Sequence, residues 1–381
     1  MHKGLKSPDR HSNRNSNIEL LRIISMILIV AYHATRIECI KSGESLVASI
    51  TGIVFGSWGI LGVDLFVIIS SWYLIGRDFS CKRVLSVVFQ TSIYIVLSSL
   101  LSCIIIVTET HSFSKAIKAL LLHIQDSFFE PLWCRHFWFV TAYVFLLVLT
   151  PFLNMIILKM SKKTFRLLLI IGAFVPFFSQ FNGYTNIVSD VMTFSYIFLL
   201  IGYIKQYGIK NIERYCKFKF IVLIIGAIIC GRLLLLISNL IDPINLVLLH
   251  SIAAVGRHSM IMLFAALLVF FRVIKKEPKT SMVVNRIARY TFGVYLFHSM
   301  HILTTDGDLL DYIARKLIDA GLLNGDLLFP IMYIVFVFAI FSLGLLVDFL
   351  LQKLMITPLL KIINYRFSKK YQIIDTAMSI E

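Results

Sequence analysis

The chain has 381 residues, of which 58% are hydrophobic and 15% charged, against roughly 45–50% and about 25% in soluble domains. That balance excludes an ordinary soluble fold. The formal charge of +16 would point to nucleic acid in a soluble protein, but here its placement between apolar runs carries the information, and no nucleic-acid partner is implied.

Ten helix-length apolar spans are predicted, at 18–39, 55–76, 84–108, 135–157, 167–181, 187–204, 218–239, 253–272, 286–304 and 327–351. They define a basic N-terminal segment at 1–17, one transmembrane domain at 18–351 and a basic tail at 352–381, an all-α polytopic bundle with no separate soluble unit. The first run is longer than a signal-peptide core and carries Arg22 and His33, so it reads as a retained helix. With the N-terminus inside, 28 of the 37 Lys and Arg fall on the inner side, 8 on the outer side, and Arg232 lies within a span. The positive-inside rule therefore places both termini in the cytoplasm. The short fifth and sixth spans flank the polar stretch from Asn182 to Asn186 and are compatible with a re-entrant pair.

Between the spans, Ser114 to Phe128 is amphipathic, with Lys115 and Lys118 opposite a leucine-rich face, and reads as an interfacial helix. The segment from Thr304 to Asp326 holds Asp306, Asp308, Asp311, Asp319 and Asp326 against Arg315 and Lys316. Its aspartates lack a calcium-loop spacing, so it reads as a solvated helical cap. Cys39, Cys81, Cys103, Cys134, Cys216 and Cys230 show no CxxC or metal-ligand spacing, and no metal is implied.

Arg22 and His33 are the most informative residues. An arginine in hydrocarbon costs roughly 2.5 to 3.5 kcal/mol on insertion scales, so a functional role is the default reading. At about 100° per residue their spacing puts both on one helix face, separated by about 16 Å along the axis. Imidazole titrates near neutrality and suits general-base chemistry, whereas guanidinium holds phosphate or carboxylate and stays charged. Asp64, Tyr295, His298 and His301 are further polar residues within spans; Arg232 and Asp348 stand in no motif and are not assigned to a site.

Four motifs in order carry a resemblance: Arg-x10-His at Arg22 and His33; Gly62, Asp64 and Ser70 in the second span; Phe137 to Tyr143 with Thr150, Pro151 and Asn154 in the fourth; and Thr291, Tyr295 and His298 in the ninth. The chain resembles the integral-membrane acyltransferase family 3 over nearly its full length. The resemblance implies a ten-helix bundle of the bacterial plasma membrane that moves an acyl group, usually acetyl from cytoplasmic acetyl-CoA, to a sugar hydroxyl of an envelope glycan or lipid-linked saccharide, with membrane lipid around it. His33 then matches the essential histidine, acting as general base or through a transient acyl-imidazole. Arg22 matches the paired arginine, holding the anionic part of the donor or stabilising an oxyanion. Asp64, Tyr295 and His298 complete the implied catalytic set. Arg77, Lys82 and Arg83 loosely match a basic motif that would meet CoA phosphates, and they also serve as topology determinants. Trp138 and Tyr143 are candidate substrate contacts, with packing aromatics as the plainer reading. The rival functions are a transporter or a glycan flippase or polymerase without acyl transfer, and a pH-sensing signalling protein. Against the first two stand the absence of an internal repeat and outer loops poor in arginine.

Overall fold

The computed structural model describes residues 15–35, 37, 45–127, 137–174, 187–208, 217–241, 259–302, 307–324 and 326–379. In chain order the elements are α1 (Ser16–Ala34), α2 (Leu46–Gly56), α3 (Gly59–Leu74), α4 (Cys81–Thr110), α5 (Phe113–Ser127), α6 (Trp138–Lys159), α7 (Lys162–Gly172), α8 (Ile187–Tyr207), α9 (Phe218–Ile241), α10 (Met260–Ile274), α11 (Met282–Arg289) and α12 (Thr291–His298). A two-residue hairpin, β1 (His301–Ile302) and β2 (Gly307–Asp308), precedes α13 (Leu309–Asp319) and α14 (Phe329–Leu351). A π-helical turn at Gln352–Ile356 leads into α15 (Thr357–Arg366) and α16 (Ser368–Ala377).

Among the described residues, six helical stretches are long and apolar enough to cross a membrane: α1, α2 with α3, α4, α6, α8, and α14 with its continuation to Arg366. The apolar α10 is shorter. The protein is a helical membrane bundle. Three spans differ from their expected form. The second begins at Leu46 rather than near residue 55 and breaks at Ser57 and Trp58; the ninth is two short helices that meet at Tyr290; the last continues past Leu351 instead of ending there. The amphipathic α5 and the helical cap α13 stand where the sequence placed them. Cys39, Cys134, Cys216, Asp306 and the end of the fifth expected span lie outside the described residues, while Cys81, Cys103 and Cys230 are free thiols.

Helix α1 is the axis of the bundle and packs against α3, α11, α12 and α14. Its first turn is capped by Asn15 Oδ1, which accepts from Asn17 N at 3.0 Å. Ser16 then stitches it to the entry of α11: Ser281 N donates to Ser16 Oγ at 2.6 Å, and Ser16 Oγ to Asn285 Oδ1 at 2.9 Å. Against α3 the approach is close. A Cβ at Gly62 would meet the carbonyl oxygen of Ser25, and one at Gly59 would meet the Tyr32 ring, so only glycine admits this packing. At the opposite end the Tyr333 hydroxyl of α14 donates to Ala31 O. These ties fix α1 at both ends, with Arg22 between them and His33 two residues beyond Ala31.

Candidate active site

Helix α12 brings the second histidine to the first. His298 is fully buried, and its Nδ1 lies 2.8 Å from Val294 O one turn earlier. A carbonyl oxygen only accepts, so Nδ1 carries the proton and Nε2 of a neutral ring is the acceptor. His298 Nε2 lies 3.0 Å from His33 Nδ1, with ring centroids 4.8 Å apart at 61°. In the neutral pair His33 Nδ1–H therefore donates to His298, and His33 Nε2 presents the lone pair. His33 can take up a proton at Nε2 without either ring turning over.

The site continues as a run of aromatic rings. Tyr295 meets His298 edge-on at 5.7 Å and Phe139 at 5.3 Å between centroids. Phe139 stacks on Tyr143 at 5.9 Å and meets Phe66 at 5.6 Å. The Arg22 guanidinium carbon lies 5.9 Å from the Phe66 ring centre. Trp138 packs on Phe139 and on Phe194 of α8, at 6.1 and 6.3 Å. Arg22, Trp138, Tyr143, Tyr295 and His298 are thus joined through Phe66 and Phe139, which lie within the recognised motifs but were assigned no role there.

Arg22 Nη1 pairs with Glu19 Oε2 at 2.9 Å, one turn back on α1. The glutamate is almost fully buried, which is tolerable because the pair answers the charge of both. An acid at the start of the same apolar run was the signal for Glu19. Asp64 is buried on α3, and among the described residues it makes no ion pair and Oδ2 has no hydrogen bond. The structure does not join it to Arg22 or to the histidine pair.

The histidine pair, fully buried at His298 and half-buried at His33, the paired arginine on the same helix and the aromatic run between them are spread across α1, α3, α6 and α12. A family model described as an acyltransferase domain, that of acyltransferase family 3, matches residues 15–352 and so takes in all four. The chain belongs to acyltransferase family 3. Comparisons with curated proteins and with solved structures gave no match.

The acyltransferase also gathers cations where α3 ends. Lys205 Nζ of α8 donates to Trp72 O at 3.0 Å and Ile75 O at 3.4 Å, which answers the exposed carbonyls of that helix end. Asn154 of α6 clamps the following turn from both sides: Gly76 N donates to its Oδ1, and its Nδ2 donates to Arg77 O, each at 3.2 Å. Gly76 takes a φ of 79°, a left-handed conformation suited to glycine. Arg77 lies within electrostatic range of Lys205 and Arg83, and Arg83 within range of Tyr143. Two of the three expected basic residues thus share a cluster with Lys205, which the sequence did not suggest. Lys82 is exposed. Asp375 of α16 also reaches this end, accepting from Cys81 N at 2.7 Å and capping α4 from another element.

Proposed function

We propose that this acyltransferase moves an acetyl group from cytoplasmic acetyl-CoA to a sugar hydroxyl of a bacterial envelope glycan, with His33 as general base. The observation that carries the reading is the His33–His298 hydrogen bond, which fixes the tautomer that leaves His33 Nε2 as the proton acceptor. Membership of an acyltransferase family sets aside the transporter, polymerase and sensor readings.

In this mechanism His33 Nε2 takes the proton from the acceptor hydroxyl as its oxygen attacks the thioester carbonyl carbon. The tetrahedral intermediate collapses with cleavage of the carbon–sulfur bond, and the leaving thiolate takes the proton back from His33 Nε2. The donor and acceptor swap one acyl group for one proton, and the pair ends as it began. Of the two roles open to Arg22, holding the anionic part of the donor fits the geometry, because it stands about 16 Å from His33 along α1, too far to touch the same carbonyl. The long pantetheine arm of CoA would span that interval beside the Phe66, Phe139 and Tyr295 rings. Arg77, Arg83 and Lys205 supply positive charge for the phosphates.

The test compares surface glycans by mass spectrometry in cells lacking the gene, restored with the intact protein or with His33→Ala at equal expression. An acetyl-sized mass gain with the intact protein alone is the expected result, since a general base contributes about 10²- to 10⁴-fold. Equal gain with both proteins would remove His33 from the chemistry. A gain of a different mass would rename the acyl group.

A further inference from the structure

Helix α12 has eight residues, so its own hydrogen bonds hold it weakly and its position is set by what it packs against. Two residues of α14, one turn apart, meet it. At Gly344 the room a side chain would need is taken by α12: Val294 Cα stands 3.1 Å and Phe297 Cδ1 3.3 Å from where a Cβ would be. One turn further the relation reverses, and the carboxyl group of Asp348 fills the place of the side chain that Gly293 lacks. The two helices are keyed together, each lending a glycine to the other.

Asp348 is fully buried and is itself held from a third helix. Its Oδ1 accepts from Gln90 Nε2 at 2.9 Å and from the Tyr94 hydroxyl at 3.0 Å, both on α4. Its Oδ2 makes no hydrogen bond among the described residues. A carboxyl group in an apolar interior is costly, and neither the histidine pair nor the basic cluster uses this one. The key also leads directly to the reacting groups: Val294, wedged over Gly344, supplies the carbonyl that fixes the His298 tautomer.

We propose that Asp348 is a positioning residue for acyl transfer, seating α12 through Gly293 at the depth where His298 Nε2 meets His33 Nδ1. The inference rests on the histidine pair as the proton-handling site. A Gly293→Ala methyl collides with the Asp348 carboxyl group, whereas the same methyl in Gly293→Ala/Asp348→Ala enters vacated space. The two substitutions are therefore coupled, and the double variant is less impaired than the single effects combined would give. Asp348→Asn keeps both shape and accepting oxygen.

The experiment uses the full chain in lipid nanodiscs with isotope-labelled histidine, and reads the magnetic-resonance correlation between the His33 and His298 rings. Acetyl-CoA-dependent transfer to the glycan, with KM and kcat separated, is measured in membranes. Gly293→Ala and Asp348→Ala are expected to lose the correlation and to lower kcat about 10²-fold, the scale of a misplacement near 1 Å, with KM for acetyl-CoA unchanged. The double variant is expected to regain the correlation and most of kcat, and Asp348→Asn to stay within about threefold of the parent by the same geometric argument. A correlation that survives in folded Gly293→Ala, or single effects that merely add, would overturn the assignment. If the double variant fails to fold, the ring correlation in Gly293→Ala decides alone. Transfer by His33→Ala would instead refute the proposed chemistry, and the ring correlation would still report on Asp348.

Discussion

One histidine in an apolar helix can titrate, but it cannot choose which nitrogen faces its substrate. His298 makes that choice for His33, because its own Nδ1 is committed to Val294 O and only Nε2 remains to accept. His298→Ala removes the acceptor and frees the His33 ring. We expect kcat to fall about 10- to 100-fold, the usual loss when an orienting partner is deleted, with KM for acetyl-CoA unchanged. A raised KM with kcat intact would make His298 a donor-pocket residue instead. Arg22 and His33 were legible in the sequence because a polar group in hydrocarbon is expensive, and Glu19 carried the same signal three residues earlier. What joins His33 to His298 was not legible, since 265 residues separate them and only the packing of α12 on α1 closes that distance.

Among the elements, the all-α bundle could be read from apolar runs, but the breaks inside them could not. Tyr290 divides the ninth span although neither proline nor glycine stands there; Arg286 and Arg289 make the α11 side polar and the α12 side is apolar, which marks a change of surroundings but not a break in the helix. The division shapes the site, because a short α12 can be set by its neighbours independently of α11. The turn after α3 is held in a similar way by α6. Asn154 stood in a recognised motif, yet its task, clamping Gly76 and Arg77, follows only from the fold. Asn154→Ala leaves Gly76 N and Arg77 O without these partners and should destabilise the protein by about 1–3 kcal/mol. If the clamp also holds the guanidinium of Arg77 for the donor, KM for acetyl-CoA rises alongside the lower thermal midpoint. A lower midpoint with unchanged KM would confine Asn154 to the fold.

At the scale of the whole molecule, the proposed donor side follows from charge: in the ten-span reading of the sequence, 28 of 37 Lys and Arg fall on the side that the positive-inside rule would make cytoplasmic. Arg77, Arg83 and Lys205 gather on that side, and the aromatic run from Arg22 leads away from it toward the histidine pair. The proposed donor, acetyl-CoA, is too polar to cross a bilayer, so under this reading donor use depends on which face of the membrane is exposed. Sealed inside-out vesicles should consume added acetyl-CoA, and right-side-out vesicles should not. Arg77 is exposed and Arg83 and Lys205 are half-buried, so phosphate recognition by this cluster is partly screened by salt, with a Debye length of about 10 Å at 0.1 M, and KM should rise with ionic strength. Replacing Arg77, Arg83 and Lys205 together with Gln should raise KM at low salt and flatten that dependence. Donor use only by right-side-out vesicles would invert the chain in the membrane, and an unchanged salt response in the triple variant would return these residues to setting topology and capping α3.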